Sequence, residues 1–133
     1  MKRWYKMDKK SLILNKLKNA SILVVEDGED ISRLLEYTFK LITQDIKIAK
    51  NGIEALELLK TFRPNVVITD LNMPQMNGSD LIIHIKALFP NMPIIVTSGF
   101  IDDLKNPELV YKIFEKPIIF SELLDAIIDA TKS

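Results

Sequence analysis

Three short apolar runs constrain this chain most: SILVV at Ser21–Val25, VVIT at 66–69 and IIVT at 94–97. Each is rich in β-branched residues, too short for a helix, and lacks the alternation of a strand with one wet face. Strands covered on both faces read this way, and they belong to parallel sheets. Helical patterns separate the runs. Residues 29–42 place Ile31, Leu34, Leu35, Thr38, Phe39 and Ile42 at 3.6-residue spacing. Residues 53–62 put Ile53, Leu56, Leu59 and Phe62 on one stripe, with Pro64 just beyond. Residues 79–89 form a third helix, with Ser79 as its N-cap candidate and Pro90 behind it. Residues 121–130 close the chain as a helix with Ser121 as a cap candidate. Asp45–Ala49 (DIKIA) alternates like a strand with one more exposed face, and residues 111–114 make a weaker last strand. In 101–110 the Asn106-Pro107 step breaks the helical pattern, because a residue before proline avoids the α region; one short, distorted helix is expected there. The order is β-α five times over. It implies an α/β fold, a doubly wound parallel sheet with helices on both faces, whose site lies outside the carboxyl ends of the strands.

Composition narrows the chemistry. The chain has 133 residues, 47% hydrophobic and 27% charged, which suits one folded domain. It has no cysteine, which removes disulfides, thiolate metal sites and cysteine nucleophiles. Its one histidine, His84, cannot make a multi-histidine zinc site and argues against a Ser-His hydrolase. Lying between Ile83 and Ile85, it reads as a partly buried structural residue. Met73 and Met76 read as loop packing, and Gly28 as easing the start of the first helix of the alternation. No apolar run approaches the ~20 residues of a membrane-spanning helix, so no membrane insertion is expected.

The zero net charge conceals segregation. Residues 1–19 carry Lys2, Arg3, Lys6, Lys9, Lys10, Lys16 and Lys18 against Asp8, a net +6, and the remainder carries −6. The acidic body would repel nucleic acid, so only this basic arm could bind a phosphate backbone. Within it Leu12, Ile13 and Leu17 lie at helical spacing with Leu14 beside them. Three readings stand: a tail or short helix packed on the body, a partner-docking or homodimer helix, and a linker from a longer protein. The boundary is expected between the arm, 1–19, and the domain, 20–131. The arm has no apolar core of a secretory signal, and cytoplasmic residence is the default expectation.

Carboxylates mark the strand ends. Glu26 and Asp27 follow the first strand and Asp70 follows the third, and these strands should be neighbours. Three like charges in one crevice raise each other's pKa, and a divalent cation resolves the conflict. Oxygen ligands without histidine or cysteine suit Mg²⁺. Ser98-Gly99 follows the fourth strand and Lys116-Pro117 the fifth. A hydroxyl, a lysine and metal-binding carboxylates around one aspartate read as a phosphoryl-binding site, with Asp70 as nucleophile.

The stretches ILVVEDGEDI at 22–31, VVITDLNMPQMNG at 66–78, PIIVTSG at 93–99 and FEKP at 114–117 together resemble the receiver domain of two-component response regulators, of the chemotaxis-receiver kind. The resemblance covers about residues 20–131. It implies a flavodoxin-like five-stranded sheet of order 2-1-3-4-5. It also implies that Asp70 is the phosphoacceptor, that Asp27, Asp70 and the Asn72 backbone carbonyl ligate Mg²⁺, and that Glu26 acts through a water. Ser98 matches the switch hydroxyl, five residues after Pro93; Thr97 competes, but in a strand its side chain points to the opposite face. Lys116 matches the lysine that salt-bridges the phosphoryl group, and a cis bond to Pro117 is implied. Ile113 stands where many members carry an aromatic residue, and the span from Ser98 to Lys116 is shorter than usual in the family.

The expected function is therefore a phosphorylation-dependent signalling receiver and not an enzyme in the ordinary sense. It would take its phosphoryl group from a histidine kinase or a histidine phosphotransfer protein in a bacterial cytoplasm and alter its affinity for a downstream protein. The alternative is a constitutive interaction module on the same fold. A flavin carrier would need a phosphate-cradling loop where EDGED is acidic. A metal-dependent phosphatase would turn over where a receiver is labelled stoichiometrically.

Overall fold

The computed structural model describes residues 9–73 and 76–131. Helix α1 (Lys9–Leu17) precedes strand β1 (Ser21–Val25), and then come α2 (Glu29–Lys40), β2 (Asp45–Ala49), α3 (Gly52–Leu58), β3 (Val66–Asp70), α4 (Gly78–Leu88) and β4 (Ile94–Ser98). Two 3₁₀ turns, Ile101–Asp103 and Pro107–Leu109, lead to β5 (Lys112–Glu115) and α5 (Phe120–Ala130). The five strands pair in parallel in the order β2-β1-β3-β4-β5, the flavodoxin-like order. Strands β1, β3 and β4 are buried almost throughout, whereas β2 alternates exposed and covered residues as an edge strand should.

Each central strand feeds two cores. Leu23, Val25, Val67, Ile94 and Val96 pack with Leu59, Leu81, Ile82 and Ile85 beneath α3 and α4. The alternate residues Ile22, Val24, Val66, Ile68 and Ile95 pack with Phe39, Leu123 and Ile127 beneath α2 and α5. Leu17 and Ala20 join this second core, and α1 lies against α5, so the chain before β1 is partly built into the domain. Residues 1–8 of the arm lie outside the described residues.

The expected pattern departs from the structure in several places. The fourth β-α unit holds two 3₁₀ turns in place of one distorted helix. Pro107 has no amide to continue a helix, and Asn106 before it is held at φ −128°, ψ 68°. Helix α4 is capped by Asn77, whose side chain accepts from the Asp80 amide at 2.9 Å; Ser79 is already inside the helix. Ser121 caps nothing, since α5 starts one residue earlier behind Ile119. His84 is exposed: α4 buries Gly78, Ser79, Leu81, Ile82 and Ile85, which turns residue 84 outward, and its Nδ1 lies 2.8 Å from the Asp80 carbonyl.

Candidate functional site

The sheet order makes β1 and β3 neighbours, and the chain leaves them in opposite directions, toward α2 and α4. That reversal opens a crevice at their carboxyl ends. Glu26 and Asp27 sit at the end of β1, and Asp70 is the last residue of β3. Carboxylate oxygens of all three lie within 4.8 Å of one another. Asp70 and Glu26 are buried, and Asp27 is exposed at the rim. Lys116, just after β5, places Nζ 3.2 Å from Asp70 Oδ2. Its backbone amide donates to the Ser98 carbonyl at 2.8 Å, which fixes the lysine to the end of β4, and the Lys116-Pro117 bond is cis. The Asn72 amide donates to Asp70 Oδ1 at 3.4 Å.

Two glycines shape the crevice. The Gly28 amide donates to Glu26 Oε2 at 3.0 Å and holds that carboxylate in place, a more specific role than easing a helix start. Gly78 is a residue whose function the sequence reading missed. A Cβ there would fall 2.7 Å from the Asp70 carbonyl oxygen and from Leu71 Cα, so only glycine lets α4 begin directly against the end of β3. The signal was present as the last residue of DLNMPQMNG.

Beneath the carboxylates lies a cavity of about 250 Å³ with apolar walls that include Ile31, Leu35, Phe39, Ile68 and Leu123. Burial against these walls pushes the Glu26 carboxyl above its ordinary value. The Gly28 amide opposes the rise, the Asp70 charge adds to it, Lys116 opposes it and Asp27 adds to it. A carboxyl whose folded pKa is raised favours folding fully only below its unfolded pKa, and that contribution is lost as pH rises through the folded value. Glu26→Gln is therefore expected to be more stable than the parent in chelator at pH 7–8. The difference should vanish as pH falls to the ordinary glutamate value of about 4.3. Urea midpoints across that range check this; a variant less stable than its parent at neutral pH would contradict it.

The two hydroxyl candidates part company. Thr97 pairs with Asp70 in the β3–β4 register and lines the same cavity as Asp70 and Lys116. Ser98 is fully buried, and its Oγ accepts from the Phe100 amide at 2.9 Å. Glu26, Asp27, Asp70 and Lys116 are thus gathered into one group; Thr97 lines the cavity with them, and the Ser98 hydroxyl is engaged by the backbone that follows β4.

Fold and site together define a flavodoxin-like α/β domain with an acidic pocket and one lysine at its topological switch point. The chain belongs to the response regulator receiver domain family, whose family model matches residues 22–128. It is therefore a signalling domain of the two-component kind. It is 38% identical over 78 residues to the Regulator of RpoS of Escherichia coli (strain K12), an overlap of 59% of this chain and 23% of that protein. The chain thus spans about a quarter of the length of that relative. It is 27% identical over 113 residues to Sporulation initiation phosphotransferase F of Bacillus subtilis (strain 168), covering 82% of this chain and 91% of that one. Among solved structures, a response regulator receiver domain protein from Clostridium thermocellum superposes with a TM-score of 0.78 at 28% identity, over 85% of this chain and 94% of that one. The response regulator TrrA from Thermotoga maritima, solved in complex with Mg²⁺-BeF, gives 0.74 at 27% identity, over 84% and 98%. Among the described residues, no helix is long and apolar enough to cross a membrane.

Proposed function

We propose that this chain is a phosphorylation-dependent receiver of the bacterial cytoplasm, residues 20–131 carrying the receiver and Asp70 its phosphoacceptor. The observation that carries the reading is the charge balance of the pocket. Three carboxylates converge within 4.8 Å, and among the described residues Lys116 is the one cation in ion-pair contact with them. That excess of negative charge, presented by oxygen donors alone, fits Mg²⁺. Asp27, Asp70 and the Asn72 carbonyl would hold the ion directly, with Glu26 acting through a water. When bound, the ion supplies charge neutralisation at the phosphoryl oxygens.

The chain's own residues do the rest. An Asp70 carboxylate oxygen forms a bond to the phosphorus of a phosphohistidine on a kinase or phosphotransfer protein. The P–N bond breaks, and the imidazole leaves with its electron pair. Lys116, already on Asp70 Oδ2, keeps its positive charge beside the new acyl phosphate. The Ser98 hydroxyl donates a hydrogen bond to a phosphoryl oxygen. Its link to the Phe100 amide passes that movement to the 3₁₀ segment, and the Lys116 amide on its carbonyl passes it to β5. The affinity for a downstream protein changes as a result.

The test is the intact mass of the protein after incubation with acetyl phosphate. One added phosphoryl group is expected with Mg²⁺ and none in excess chelator. No addition, from acetyl phosphate or from histidine kinases, would favour a constitutive interaction module. The hydroxyl assignment has its own check. Phosphorylation is expected to change amide exchange in 99–115, and Ser98→Ala should abolish that change while Thr97→Val keeps it. The reverse pattern would give the switch role to Thr97.

A further inference from the structure

At the end of the sheet opposite the carboxylates, α1 and the end of α2 present lysines, beside Asp45 at the start of β2. Residues 9–19, the described part of the arm, hold four lysines and no acidic residue. In the described part, Lys16 and Lys18 are exposed around the end of α1, and Leu12 on the same helix is 46% exposed. Leu41, just after α2, is 70% exposed. It shares the wall of an open groove of about 500 Å³ with Ser11, Asn15, Lys18 and Lys40. Lys40 also holds Glu36 at 3.3 Å. The two junctions that frame the groove are tied together: the Gln44 amide donates to the Lys18 carbonyl at 3.2 Å, and the Thr43 hydroxyl donates to the Ala20 carbonyl.

We propose that this basic end docks on an anionic lipid surface. Exposed leucines flanked by lysines suit the headgroup boundary, where the apolar side chains leave water and the ammonium groups reach the phosphates. Each lysine or arginine near an anionic bilayer strengthens binding by about fivefold. A nucleic acid would use the lysines equally but would gain nothing from Leu12 and Leu41. The five residues of β1 separate this end from Glu26 by roughly 16 Å, at about 3.3 Å per residue. A docked molecule therefore keeps its carboxylates turned away from the bilayer. The inference is independent of the phosphoryl chemistry.

The test is co-sedimentation of the full chain with vesicles of phosphatidylcholine alone and of phosphatidylcholine mixed with phosphatidylglycerol. Binding to the mixed vesicles only, reversed by salt, is the expected result. The pair Lys16→Glu and Lys18→Glu should weaken it by about tenfold or more. The pair Leu12→Ser and Leu41→Ser should weaken it too, with circular dichroism unchanged, since both side chains are exposed. No binding to the mixed vesicles, or equal binding to both kinds, would overturn the proposal. So would tighter binding to duplex DNA or transfer RNA that the leucine pair leaves untouched.

Discussion

Asp70→Asn is expected to take up no phosphoryl group under conditions that label the parent stoichiometrically. The substitution keeps size and shape, so the fold around it has little reason to move. It removes the group that the proposed function assigns to attack. Asp70 is buried at the end of a central strand, with the Lys116 ammonium on one oxygen and the Asn72 amide facing the other. Its neighbours cannot stand in. Glu26 is held by the Gly28 amide, and Asp27 lies out at the rim. A neutral amide is a far poorer nucleophile than a carboxylate, and loss of a nucleophile typically costs on the order of 10⁴-fold or more in rate. Intact mass gives the answer, with the urea midpoint as a check on folding. A variant that still gained one phosphoryl group would move the acceptor role to another residue.

Leu17→Ala is expected to lower stability by about 3 kcal/mol, within the range for a buried leucine cut to alanine. For a chain of 133 residues that corresponds to a fall in Tm of roughly 10 °C. The reason is position. Leu17 is fully buried in the core that holds Ile22, Phe39 and Ile127, at the point where α1 meets the body. Thermal unfolding by circular dichroism measures the loss. A change within about 2 °C, far less than such a cavity costs, would mean that α1 is an appendage and that the domain starts at β1.

That second case shows where the sequence was readable and where it was not. Continuous runs such as SILVV and VVIT name buried parallel strands because no other element leaves so short a stretch apolar on both sides. Once β1 and β3 are neighbours, Glu26, Asp27 and Asp70 must meet, and they do. Facing was harder. Ile31, Leu34 and Ile53 fit the apolar stripes of their helices by spacing, yet they are 49%, 64% and 55% exposed. Periodicity marks a helix face without saying how far its neighbour reaches along it. His84 failed for the same reason. The hydroxyl question turned on a different limit. The family resemblance picks Ser98, five residues after Pro93, while pairing across the sheet puts Thr97 on the face of Asp70. The choice rests on the turn that follows β4, and strand periodicity ends where that turn begins.

The pocket draws its groups from β1, β3, β4 and β5, but these strands are not equally secure. Glu26 and Asp70 hang from strands paired on both sides, whereas Lys116 hangs from β5, a four-residue edge strand with exposed ends. Edges open before centres. Fraying of that edge would take the cation away and leave the carboxylates as an unbalanced anionic cup. Lys116 is thus the group of the pocket carried by the least secured strand, and Asp70 is among the most fixed.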